Sequence, residues 1–148
     1  MERTDEDEAT VDEARARLRR DGLTPLAPDR RIAPLLDPEE RVLASHAALL
    51  ERREPPPRAA LAPGLTGELY VTSTRLVLVG RPTVSFGLGT IEDVVVAGDR
   101  LLVVLRDGLG VAVKVAQPRL LAMEIAWARS SARSAQPSKA VAGLAAPR

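Results

Sequence analysis

Three features of the sequence predict a mainly β fold with some helix: an antiparallel barrel of about seven strands, capped by one C-terminal α-helix and preceded by an N-terminal helix. First, from Gly67 onward, short runs rich in β-branched residues recur at close spacing: ELYVT, RLVLV, TVSFGL, IEDVVVA, RLLVVL and GVAVKV. Second, turn residues separate them, and Gly98-Asp99 and Asp107-Gly108 are hairpin pairs. Strands this short and this closely spaced pair with their neighbours and give an antiparallel barrel or sandwich. Third, the strand pattern gives way after Ala116 to QPRLLAMEIAWARSSAR, whose apolar residues follow a helical period.

The elements are predicted in order as follows. Residues 1–9 are acidic, poor in apolar side chains, and read as disordered. A helix is expected from Thr10, with Thr10 as N-cap and Glu13 at the capping-box position. Val11, Ala14 and Leu18 share its thin apolar face, and Gly22 stops it. Residues 23–38 hold four prolines and form an irregular connector, which completes an N-terminal segment of residues 10–38. EERVLASHAALLER opens the barrel domain, residues 39–133, as its first strand, and EPPPRAALAPG is a proline-rich loop after it. In GVAVKV the side chains of Val111, Val113 and Val115 face one way and Lys114 the other. Gln117 precedes Pro118, which suits the first position of a helix because its missing N–H is not needed there. Leu120, Leu121, Met123, Ile125, Trp127 and Ala128 make the broad apolar face that covers the open end of the barrel, with Arg119, Arg129 and Arg133 opposite. The small and polar residues 134–148 read as a disordered tail.

Composition narrows the function classes. There is no cysteine, which excludes a disulfide framework, a thiolate metal site and a cysteine nucleophile. Aromatic residues are limited to Tyr70, Phe86 and Trp127, so the core is aliphatic and no aromatic set exists to stack nucleic-acid bases. No apolar run reaches the length of a membrane helix, and the acidic start MERTDEDEAT is unlike a secretory signal. A cytoplasmic location follows, with peripheral contact to a membrane as a variant of it. Residues 1–13 carry −6 and the remainder +7, an acidic arm on a mildly basic body.

The string Gly67, Leu69, Val71, Thr72, Arg75, Leu76 has the form G-x-L-x-V-T-x-x-R-L leading into a further strand. With the later IEDV, LLVVLRDG and the terminal helix, it resembles the pleckstrin-homology-like (PH-like) superfamily, in its GRAM-type and bacterial PH-like branch. The resemblance covers about residues 39–133. It implies a binding module for protein partners or for anionic lipid headgroups, and in lipid-binding members the loops at one barrel end carry the headgroup contacts. Arg52, Arg53 and Arg58 after the first strand and Arg81 after the third fall in the matching loops. Glu51 and Glu54 flank the arginine pair, so the loop falls short of the uninterrupted basic run that anionic membranes attract.

Catalysis finds little support. His46 is the sole histidine, and no acid–histidine motif, G-x-S-x-G or phosphate-binding loop is present. An enzyme would need a pocket that gathers His46, Glu124 and an arginine. No cofactor or metal is implied. Arg75 has two roles open to it: holding an external anion, or tying the Thr72–Ser73–Thr74 corner and pairing with a carboxylate. Glu124 points with the apolar face of its helix and therefore needs a partner, for which Arg75, Arg100 and His46 are candidates. The expected function is a non-enzymatic interaction module for protein–protein binding or self-assembly, with binding to anionic lipid as the alternative and no nucleic-acid role.

Overall fold

The computed structural model describes the backbone of residues 2–53 and 64–145, and the side chains of residues 11–51 and 64–133. Helix α1 (Glu2–Asp21) is followed by a connector with one 3₁₀ turn (Ala33–Leu35). Seven strands come next: β1 (Val42–Arg53), β2 (Leu65–Thr72), β3 (Arg75–Val79), β4 (Val84–Gly87), β5 (Ile91–Ala97), β6 (Arg100–Leu105) and β7 (Gly110–Lys114). A 3₁₀ turn (Leu88–Thr90) joins β4 to β5, and α2 (Pro118–Ala145) is the last described element. The strands form one antiparallel sheet in the order β4-β3-β2-β1-β7-β6-β5. Seven antiparallel strands followed by one helix is the arrangement that the PH-like resemblance implies.

β1 holds the two halves together. Its first part pairs with β2, from Val42 opposite Thr72 to Leu50 opposite Leu65. Its end pairs with β7, from Leu49 opposite Lys114 to Arg53 opposite Gly110. The β5–β6 hairpin turns on Gly98-Asp99, with Gly98 at φ +65° and Ala97 paired to Arg100. A positive φ at the first of two turn residues is what glycine supplies without steric cost. Gly67 answers a different demand. A Cβ there would run into the backbone carbonyl of Val79 on β3.

The alternation of the strands sorts side chains between two cores. Leu69, Val71, Leu76 and Leu78 point inward with Leu101, Val103, Val111 and Val113. Leu121, Ile125 and Ala128 of α2 close this core, each at most 1% exposed. The opposite face of β2 and β3 is also buried. Tyr70 and Val77 pack there with Val42 and with Ile32 of the connector, which is fully covered. Covering an isoleucine side chain contributes about 1.5–3 kcal/mol. The connector is therefore a strap: Leu26 bridges to Val42, and the Tyr70 hydroxyl donates to Asp29 at 2.5 Å.

Both helices differ in extent from the sequence reading. α1 starts at Glu2, so residues 2–9 are helical and Thr10 lies inside the helix, not at its N-cap. Good helix formers and a concentration of acids near a helix N-terminus favour this. α2 likewise continues to Ala145, through the segment expected to be a disordered tail. Residues 134–145 hold four alanines, the best helix former, set against Pro137 and Gly143. Gly22 does stop α1, at φ +69°, and its N–H donates to the Leu18 carbonyl at 2.9 Å. α1 rests on the body through buried Val11, and Trp127 of α2 lies against Gly22.

Candidate functional site

The β2–β3 corner gathers its polar groups around Glu40, whose side chain is fully buried. Arg75 grips it with two parallel bonds, Nε to Oε2 at 2.8 Å and Nη2 to Oε1 at 3.0 Å. The Thr72 and Thr74 hydroxyls donate to Oε2 at 2.6 and 2.8 Å, and the Asp37 N–H to Oε1 at 3.1 Å. Thr72 Oγ1 also accepts the N–H groups of Thr74 and Arg75, which fixes the turn. Arg75 Nη2 reaches the Leu35 carbonyl of the connector at 2.5 Å. Burial pushes the Glu40 carboxyl up, but Arg75, the two threonines and the Asp37 N–H outweigh it and hold the carboxyl at about 2. The same contact raises Arg75. Arg75 is thus committed to a carboxylate of its own chain. Beside this corner runs an open groove of about 590 Å³, bordered by Arg41, Thr74, Leu88 and Trp127.

A second polar pair lies under α2. His46 Nε2 and Glu124 Oε1 are 2.6 Å apart, with side chains 13% and 11% exposed. This joins β1 to the helix. Glu124 also borders a cavity of about 330 Å³ beneath α1, which Arg17 and Thr24 share. His46 stands behind Glu124 and does not border that cavity. Among the described residues no group of three His, Asp or Glu side chains is placed to hold a metal ion. Arg100, another candidate partner of Glu124, lies 3.8 Å from Glu51 instead.

Of the four basic-loop residues, only Arg81 has its side chain among the described ones. Arg58 lies outside the described residues, and so do the side chains of Arg52 and Arg53, whose backbones end β1. Arg81 is exposed in the β3–β4 loop and makes no ion pair with a described residue. Arg129, placed by the sequence on the exposed side of α2, is instead half-buried, and its Nη2 donates to the Ile91 carbonyl at 2.9 Å.

Sequence reasoning missed Glu40 and Asp29. Glu40 is one of two adjacent glutamates before β1, and no pattern distinguishes the buried one from the exposed one. Asp29 sits in the proline-rich connector. Its side chain caps the N–H groups of Arg31 and Ile32, at 2.9 and 3.1 Å, and accepts the Tyr70 hydroxyl. The hydroxyl bond is the main influence that lowers Asp29. Tyr70 is raised to about 12, by burial first and then by Asp29. The D-x-R-I spacing of an Asx turn was the available signal.

No protein-family model matches the chain, and no curated protein matches it. Among solved structures, the PH domain of USP37 is 16% identical with a TM-score of 0.44, covering 61% of this chain and 97% of that one. The C-terminal domain of an unknown protein from Leishmania infantum is 18% identical with a TM-score of 0.42, covering 74% of this chain and 90% of that one. No described helix is long and apolar enough to cross a membrane.

Proposed function

We propose that this chain is a non-enzymatic interaction module that assembles with a second copy of itself by pairing along β5. The carrying observation is the exposed apolar edge. β5 ends the sheet order, so one side of its backbone pairs with no described strand; on that side the Val94 N–H donates to Asp93 Oδ1 and has to exchange that bond for one to the second copy. Val95 and Val96 are 45% and 39% exposed, and Val104 on the adjacent β6 is 36% exposed. An edge of this kind, without proline or lysine, is a template for strand addition. β4 at the other end has only four residues.

Self-pairing also satisfies the charges. In an antiparallel pair centred on Val95, Val94 of each copy faces Val96 of the other. Asp93 then faces Ala97 and Glu92 faces Gly98, so no acid opposes an acid. The contact is isologous, as a twofold dimer requires. Light scattering after size exclusion tests it. A dimer that becomes monomeric in Val95→Lys supports the reading, and a monomer at all concentrations overturns it.

The second reading, peripheral binding to anionic lipid, is favoured by one observation: Arg81 is exposed and makes no ion pair with a described residue. Salt-sensitive flotation with anionic vesicles that Arg81→Ala abolishes would support it, and the absence of such flotation would remove it.

A further inference from the structure

Where the start of β5 meets α2, three arginines border a depression of about 290 Å³: Arg106 from the β6–β7 turn, and Arg129 and Arg133 one helical turn apart on α2. Such an accumulation of like charge is normally relieved by acids. Glu92 borders the depression and Asp93 stands near enough to favour the charged form of Arg129. Yet neither carboxylate comes within ion-pair distance of any of the three arginines. Asp93 Oδ1 accepts the Val94 N–H instead. The side chains of Arg106 and Arg133 make no hydrogen bond with a described residue.

Arg129 has the fixed position. Its Nη2 is held by the Ile91 carbonyl at 2.9 Å and touches the Glu92 carbonyl at 3.5 Å. Its Nε is buried and has no acceptor among the described residues. Buried donors are satisfied in nearly all native structures, so an orphaned guanidinium N–H calls for a partner. Burial first, then Arg133 and Arg106, press its proton affinity down, which a bound anion would reverse.

We propose that Arg106, Arg129 and Arg133 form a receptor for a phosphate-type oxyanion. A tetrahedral phosphoryl group presents several acceptor oxygens in different directions, and three guanidinium forks arriving from a turn and from two levels of one helix can meet them with charge-assisted bonds. The depression has room for a phosphate or a pyrophosphate. This inference does not rest on the pairing of β5, although Arg129 bonds to the Ile91 and Glu92 carbonyls at the start of that strand.

Two probes separate the sources of the phosphoryl group. Inorganic pyrophosphate, followed by titration calorimetry on the full chain, reports a soluble ligand. Sedimentation with phosphatidylcholine vesicles that contain a phosphatidylinositol phosphate reports a headgroup. Saturable binding of either probe, weakened at least about tenfold in Arg106→Ala/Arg133→Ala, is the expected result. Arg30→Ala/Arg119→Ala removes the same charge from exposed positions elsewhere and should leave the affinity within about twofold. Arg129→Lys keeps the charge but loses the fork, and should weaken binding more than the exposed double variant does. Binding of neither probe by the parent chain overturns the proposal. So does equal weakening by the two double variants, which would mean a diffuse charge effect.

Discussion

Glu40→Gln isolates the charge at the β2–β3 corner with little change of shape. The structure gives the size of the effect. The folded carboxyl is held at about 2 against its ordinary 4.5, and its side chain is fully buried, so solvent does not screen the difference away. At about 1.4 kcal/mol per pH unit, the ionised form favours the folded state by about 3 kcal/mol. Breaking a buried pair by removing one partner costs a similar amount, about 3–5 kcal/mol, because Arg75 is left without its counter-charge. For a chain of this size, about 3 kcal/mol lowers the melting temperature by about 6–12 °C. The sign with pH is fixed. Between about 2 and 4.5 the unfolded chain binds a proton at Glu40 that the folded chain does not, so stability rises with pH across that window. The contribution is fully present above 4.5 and is lost as pH falls through about 2. Urea unfolding of parent and variant, followed by Trp127 fluorescence, measures both quantities. The gap between the two should be about 3 kcal/mol near neutral pH and should shrink as pH approaches 2. A neutral-pH gap below about 1 kcal/mol, the size of a surface pair, refutes the reasoning. A gap that does not change with pH refutes it equally.

Gly67→Ala places a methyl group against the Val79 carbonyl, backbone on backbone, and one strand must shift; we expect a loss of about 1–3 kcal/mol in a denaturant melt, with an unchanged midpoint as the contrary result. Because Tyr70 is the single tyrosine, its phenol can be titrated by ultraviolet absorbance without interference. The midpoint should lie near 12, and a midpoint near 10 while the fold is intact would contradict the Asp29 contact.

The fold was legible where periodicity carries it. The runs from Gly67 to Val115 became β2 to β7 because alternation and glycine turns leave few alternatives. Gly22 could be read as a stop for the same local reason. The helix ends were not legible: residues 2–9 and 134–145 have no apolar face to announce them, and their helical propensity is diffuse. The strap over β2 and β3 was hidden for another reason. Ile32 is one of several apolar residues scattered among the prolines and arginines of the connector, and only the tertiary fold shows that it is the one packed against Val77 and Tyr70. The corner was half legible. Arg75 and Thr72 stand within one motif, while Glu40 reaches them from thirty-odd residues away.

The double pairing of β1 also sets an order of events. Its first part can pair once residue 72 exists, but its last five positions also pair with residues 110–114, and the last three, Glu51 to Arg53, have no other described strand partner. During synthesis that end of the strand must wait for nearly the whole barrel to be made, with its donors and acceptors turned to water. Contacts between residues so far apart in the chain are slow to form, because a long loop has to close before any bond rewards it. The sheet should therefore complete in one late step, and cutting the chain before residue 110 should leave no stable half.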